Sequence, residues 1–168
     1  MFKKVFYIIK DFYKSTTKIE LFETIVLPFI ITVILFVFVN DVLTIDDVVD
    51  FNSTILSIVS LLVAFGISST TLLFSTSNNN IDSAKETITD RIRSNGFKIN
   101  YFQLVQIRAY YVVVVELMLI AISMLSSVIL LKLDLFIIFY INVFLLIHIL
   151  FTLFLSMISM YHLSISNR

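Results

Sequence analysis

The sequence predicts an all-α integral membrane protein: four transmembrane helices, an N-terminal amphipathic interfacial helix, and a short cytoplasmic helix between spans two and three. Three observations predict it. The chain is 59% hydrophobic and only 14% charged, where an average soluble domain is about 45–50% apolar and 25% charged. A chain of 168 residues cannot bury that much apolar surface in a water-soluble core. The apolar residues gather in four stretches long enough to cross hydrocarbon, and nearly all basic residues fall on one side of them. The whole length, 1–168, reads as a single membrane domain.

Residues 1–20 form the interfacial helix. Phe2, Val5, Phe6, Ile9, Phe12 and Tyr13 recur at helical spacing on one face, and Lys3, Lys4, Lys10, Asp11 and Lys14 occupy the other. An amphipathic helix of this kind lies on the inner leaflet; a docking site for a protein partner is the second reading. Lys10, Asp11, Lys14 and Lys18 interrupt any apolar run of a cleavable signal, so the first span is expected to act as an uncleaved anchor.

Span one covers residues 22–39 and holds Pro28, the only proline. Proline removes a helical hydrogen bond, so a kink is expected, with Thr24 or a neighbouring helix satisfying the freed carbonyl. Residues 40–50 carry Asp41, Asp46, Asp47 and Asp50 and read as a loop. Span two covers residues 53–74. It carries Ser57, Ser60, Ser68, Ser69, Thr70 and Thr71, and Ser60, Ala64 and Ser68 repeat every four residues. Such a small-residue stripe lets helices approach closely, so Ser57, Ser60, Ala64 and Ser68 are a candidate packing face or pore face.

Ser75 to Asn80 read as a turn. Ser83 and Glu86 match a capping box, which predicts an amphipathic helix over 81–96, with Gly96 as its C-terminal cap. Span three covers residues 109–131, Lys132 and Asp134 mark a tight turn, and span four covers residues 135–157.

Orientation follows from Lys and Arg. Of the 12 basic residues, only Lys132 lies on the face that also holds the aspartates of the first loop. The N-terminal segment, the central loop and Arg168 hold the rest. Both termini and the central loop are therefore expected in the cytoplasm. The bias toward Ile, Phe, Asn and Lys hints at a bacterium or its phage, and so at the bacterial inner membrane.

Ionisable residues within a span are costly and are functional candidates by default. Glu116 lies within span three. The hairpin of spans three and four, centred near residue 133, puts His148 at nearly the same depth. The pair is either a hydrogen-bonded packing lock or a site that takes up a proton or ion. Asn142, level with Met124 and near Ser123, is expected to donate a hydrogen bond between helices. Lys3, Lys4, Lys10, Lys14, Arg91 and Arg93 are the candidate surface for membrane or partner.

Several classes are excluded. With no cysteine and only two glycines, thiolate metal sites, a Cys nucleophile, the GxSxG elbow and the phosphate-binding P-loop are impossible. No His/Asp/Glu cluster has metal-ligand spacing. No catalytic residue, cofactor or direct nucleic-acid binding is expected. Small multidrug transporters also have four spans, but they are shorter and carry their glutamate in the first helix.

The short length, the basic N-terminal helix and the Ser/Thr-rich second span ending Thr70-Thr71-Leu72-Leu73-Phe74-Ser75 give a layout that resembles small four-span proteins of bacterial anti-phage systems. These include the Kiwa membrane subunit and four-span effectors of nucleotide-signalling defence. The resemblance covers the chain as a layout, and no functional residue is carried over from it. It implies membrane sensing or disruption through oligomers, coupled to a cytoplasmic protein. The expected function is thus a non-enzymatic, oligomeric membrane sensor or pore-forming subunit with a cytoplasmic partner. A proton-coupled ion or solute transporter and a phage-type lysis or exclusion protein are the rivals.

Overall fold

A computed structural model describes residues 2–75, 79–133 and 137–165. The turn expected around Asp134, residues 76–78 of the turn after span two, the side chain of Lys132, and Arg168 lie outside the described residues. The fold is almost wholly α-helical, and four helices are long and apolar enough to cross a membrane: Lys18–Val39, Ile45–Leu72, Tyr101–Ser126 and Ile137–Tyr161.

The N-terminal helix α1 runs Phe2–Ser15. It ends where the hydroxyls of Ser15 and Thr16 both donate to the Phe12 carbonyl, which satisfies an orphan acceptor of the last turn. Thr17 then caps α2, Lys18–Leu21, in a reciprocal box with Glu20. The first long helix continues as a π-helical segment, Phe22–Val26, and then as α3, Leu27–Val39, with Pro28 in its first turn. Where a kink is expected at Pro28, the helix has a π-helical segment just before the proline.

Helix α4 spans Ile45–Ser75 and starts earlier than the expected 53. The Thr44 backbone N–H and hydroxyl both donate to the Asp47 carboxylate, at 3.0 and 2.5 Å, and the Asp47 N–H donates back to the Thr44 hydroxyl. This is a capping box, and Asp46 and Asp47, read as loop, instead occupy the first turn of the helix at its favourable positive end.

The helix expected over 81–96 is a correction. Helix α5 covers only Asn79–Glu86, and the chain then forms a two-stranded antiparallel hairpin, β1 Ile88–Ile92 and β2 Lys98–Asn100. The run Thr87-Ile88-Thr89 is β-branched and prefers strand. The spacing of Ala84, Ile88 and Ile92 that suggested a helical stripe is also even, so Ile88 and Ile92 share one strand face. Gly96 does adopt φ 84°, but it turns the hairpin rather than ending a helix.

Helix α6, Tyr101–Leu133, starts at another reciprocal cap: the Gln103 N–H donates to the Asn100 side chain and the Asn100 N–H to the Gln103 side chain. Helix α7 covers Ile137–Ile165. Helix α6 lies between α4 and α7, and α7 lies between α6 and the first span. The core runs along α6, where Val59 and Val63 of α4, Tyr111 and Leu119 of α6 and Ile149 of α7 are buried together. The outer surface of α3 is exposed apolar side chain from Val33 to Phe38, as hydrocarbon contact requires.

Helix α1 docks on α6 through Phe12, which is fully buried and stacks on Tyr111 at 3.7 Å between ring centroids. The polar side of the dock is an ion pair to the hairpin. Arg93 Nη2 donates to the Asp11 carboxylate at 2.7 Å, and the Ser94 N–H and hydroxyl donate to its second oxygen at 2.9 and 2.5 Å. Burial pushes the Asp11 carboxyl up, but the Ser94 hydrogen bonds and the adjacent Arg93 guanidinium outweigh it and hold the group below its ordinary value. A carboxyl lowered by folding stabilises above its unfolded pKa and loses that contribution as pH falls through the lowered value. Asp11→Asn is expected to cost about 1.5 kcal/mol at neutral pH. Thermal melts of the two proteins should converge on acidification, and a constant gap down to about pH 3 would contradict the assignment.

Candidate functional site

The membrane-length helices carry buried polar groups at three depths, and each level joins different helices. The level nearest the hairpin is an ion cluster. The Glu20 carboxylate accepts from the Thr17 N–H at 2.7 Å, from Arg91 at 3.1 Å and from Arg108 at 2.6 Å. Arg108, on α6, also donates to the Ser159 hydroxyl of α7, and the Tyr101 hydroxyl donates to the Ser159 carbonyl at 2.9 Å. Glu20 thus caps α2 and binds the first span to the hairpin and to α6. Arg91 and Arg93, candidates for the membrane or partner surface, pair with Glu20 and Asp11, and their side chains stay 25% and 43% exposed. Lys3, Lys4, Lys10 and Lys14 are exposed along α1 as expected.

The middle level centres on His148. Its Nδ1 lies against the carbonyl of Thr24. A carbonyl only accepts, so Nδ1 carries the proton, and in the neutral ring Nε2 accepts. The Tyr111 hydroxyl, at 2.8 Å, therefore donates to Nε2, and the Tyr13 hydroxyl donates to Tyr111 at 3.1 Å. The result is one directed chain: Tyr13 of α1, Tyr111 of α6, His148 of α7 and the Thr24 carbonyl of the first span. Thr24 is four residues before Pro28, so its carbonyl has no α-helical donor. The neighbouring helix satisfies it through the imidazole, while the Thr24 hydroxyl serves the Glu20 carbonyl at 2.7 Å.

Glu116 and His148 are both buried, but no hydrogen bond joins them among the described residues. Depth does not fix azimuth. Tyr111 and Glu116 are five residues apart on one helix, which turns them by about 140° from each other. Tyr111 faces α7 and α1; Glu116 faces α4, where its Oε2 is 3.4 Å from the position a Cβ on Gly66 would take. Glu116 is 0% exposed and neither carboxyl oxygen has a hydrogen-bond partner among the described residues. An unpartnered buried carboxyl is a net cost. Glu116→Leu is therefore expected to stabilise the protein by about 1–2 kcal/mol in thermal unfolding; a destabilised variant would mean that the carboxyl has a partner here.

The third level is an amide clamp. The Asn52 side-chain amide of α4 donates to the Ser126 hydroxyl of α6 at 3.1 Å, and the Asn142 amide of α7 donates to the Asn52 carbonyl oxygen at 2.9 Å. Asn142 is the interhelical donor expected, with Asn52 and Ser126 as its acceptors.

The stripe of Ser57, Ser60, Ala64 and Ser68 faces away from the other helices. The hydroxyls of Ser57, Ser60 and Ser68 donate to carbonyls of their own helix, of Ser53, Leu56 and Ala64, at 3.1, 2.6 and 2.8 Å. All four residues of the stripe are exposed among the described residues. The hairpin also presents apolar groups outward: Ile88 is 71% and Phe97 72% exposed. Among the described residues, no group of three His, Asp or Glu side chains converges as a metal site would need.

Glu20, Tyr111 and Asn52 are the residues that reading the sequence missed. Glu20 had a signal, since it stands three residues after Thr17 in a capping box. Tyr111 had a weaker one, a hydroxyl-bearing ring less than two turns from a buried glutamate. Compared with protein-family models, curated proteins and solved structures, the chain matches none.

Proposed function

We propose that this chain is a non-enzymatic membrane sensor subunit of the bacterial cytoplasmic membrane, with both termini inside, acting as an oligomer with a cytoplasmic protein partner. The observation that carries the reading is the chain Tyr13–Tyr111–His148–Thr24 carbonyl. It ties an amphipathic, lysine-bearing surface helix to the one carbonyl that proline leaves free in the first span. A displacement of α1 by the bilayer must break or drag this chain, and the π turn is the element able to yield. The outward hairpin side chains Ile88 and Phe97 offer the partner an apolar contact. The outward stripe on α4 suits self-association, and with its hydroxyls it suits a pore face if the oligomer conducts. The layout resemblance makes anti-phage defence the proposed setting.

The test uses the absence of native cysteine. Spin labels at Tyr7→Cys on α1 and Phe38→Cys at the far end of α3 report their separation in bilayers of different thickness. The separation is expected to shift with thickness in the parent, and the shift to vanish in Tyr111→Phe. A separation insensitive to the bilayer, or a shift that survives loss of the hydroxyl, would defeat the reading.

The second reading is a proton-coupled transporter, favoured by the buried, unpartnered Glu116 carboxyl. Proton-driven uptake into liposomes that disappears in Glu116→Gln would establish it in place of the sensor.

A further inference from the structure

The structure also points to the ligand that α1 reads, an inference that rests on the sensor reading. Two concavities meet along this helix. One, of about 260 Å³, lies beneath it between the π segment, α6 and α7 and is lined by Ile9, Tyr13, Ile25, Tyr111, Phe144 and His148, among others. The other, of about 390 Å³, lies against α1 and is lined by Phe6, Ile9, Lys10, Tyr13 and Lys14. They share Ile9 and Tyr13.

The charges around them divide into two classes. Arg91, Arg93 and Arg108 each have a carboxylate partner in the fold. Lys10 and Lys14 are exposed and have no ion pair among the described residues. Two unpaired cations therefore adjoin a cavity whose lining is hydrocarbon apart from the buried Tyr111 hydroxyl, the His148 ring and the Tyr13 hydroxyl. A free phosphate would satisfy the lysines and leave the cavity empty. An acidic peptide would bring backbone amides into a space with few partners for them. An anionic phospholipid satisfies both halves.

We propose that one anionic phospholipid of the inner leaflet occupies this site, its phosphate between Lys10 and Lys14 and an acyl chain beneath α1 against Tyr111 and His148. An acyl chain gains little by leaving surrounding hydrocarbon for an apolar cavity, so selectivity comes from head-group charge. Occupancy wedges α1 at the point where the hydrogen-bonded chain begins, and gives the sensor a chemical input.

The full chain is reconstituted in nanodiscs of phosphatidylcholine with phosphatidylglycerol admixed, and lipid retained after transfer to detergent is counted by native mass spectrometry. The expected result is one retained lipid per chain, with a preference for phosphatidylglycerol of about tenfold. Lys10→Gln with Lys14→Gln changes only exposed side chains, and should reduce the preference to less than about threefold. Val115 of α6 also lines the first cavity; Val115→Phe fills it with the lysines intact and should abolish retention. Equal retention of the two lipids by the parent, or an unchanged preference in the lysine variant, overturns the site. A lipid preference without coupling between α1 and α3 removes the sensor reading and keeps the site; coupling without a lipid preference does the reverse.

Discussion

His148→Phe is expected to destabilise the protein by about 3 kcal/mol. The phenyl ring keeps the shape and the stack on Phe144, whose ring lies 6.0 Å away and 8° from coplanar. It removes both hydrogen bonds. The Thr24 carbonyl and the Tyr111 hydroxyl are then left without these partners in a buried, low-dielectric place, where each costs about 1–3 kcal/mol. The cause can be separated from simple repacking by restoring the missing donor within the helix itself. Pro28→Ala returns an N–H four residues after Thr24. It should cost little alone, and it should recover about 1–2 kcal/mol when added to His148→Phe. Unfolding in mixed detergent, read as a double-mutant cycle, decides the matter. Strict additivity of the two substitutions would show that the imidazole does not stand in for the proline's missing hydrogen.

Arg108→Met carries the other large effect, an expected loss of about 3–4 kcal/mol. The methionine replaces the alkyl stem but leaves Glu20 with Arg91 alone, and Arg91 is the more distant of its two cations, at 3.1 Å against 2.6 Å. A half-broken buried pair is worse than no pair. Adding Glu20→Gln should therefore recover most of the loss, although the capping acceptor for the Thr17 N–H is weakened. A double variant no more stable than Arg108→Met would place the cost in lost packing instead.

The four long helices were legible because a bilayer-length apolar run has few other solutions in a chain this short. Their depths were legible too. The hairpin of α6 and α7 brings Arg108 to Ser159 and Ser126 to Asn142, close to the register expected from a turn near residue 133. Rotation was not legible. Glu116 and His148 point to different neighbours, because helix azimuth is set by contacts with α1 and α4 that lie far away in sequence. The same holds for Glu20, whose partners stand 71 and 88 residues away. Helix starts carry signals that hydropathy does not weigh: Thr44 with Asp47 and Asn100 with Gln103 are both caps, and each lies before the long apolar run of its helix. The hairpin is ambiguous in the sequence because Ala84, Ile88 and Ile92 fit a spacing of four, which is a multiple of the strand period as well as close to one helical turn. The β-branched run at Thr87-Ile88-Thr89 was the tie-breaker.

The back-bonded serines of α4 have a consequence for how copies of this chain would meet. Each hydroxyl on that strip is already occupied, so the surface shown to a neighbour is chemically quiet: short, smooth and without a dangling donor. Lipid can wet it at no penalty, and another helix can lie on it at none. Contact there is worth close-range dispersion and little else. Were copies to associate there, joining and parting would both be cheap, and crowding in the plane of the membrane, rather than any bond waiting to form, would set how many chains stand together.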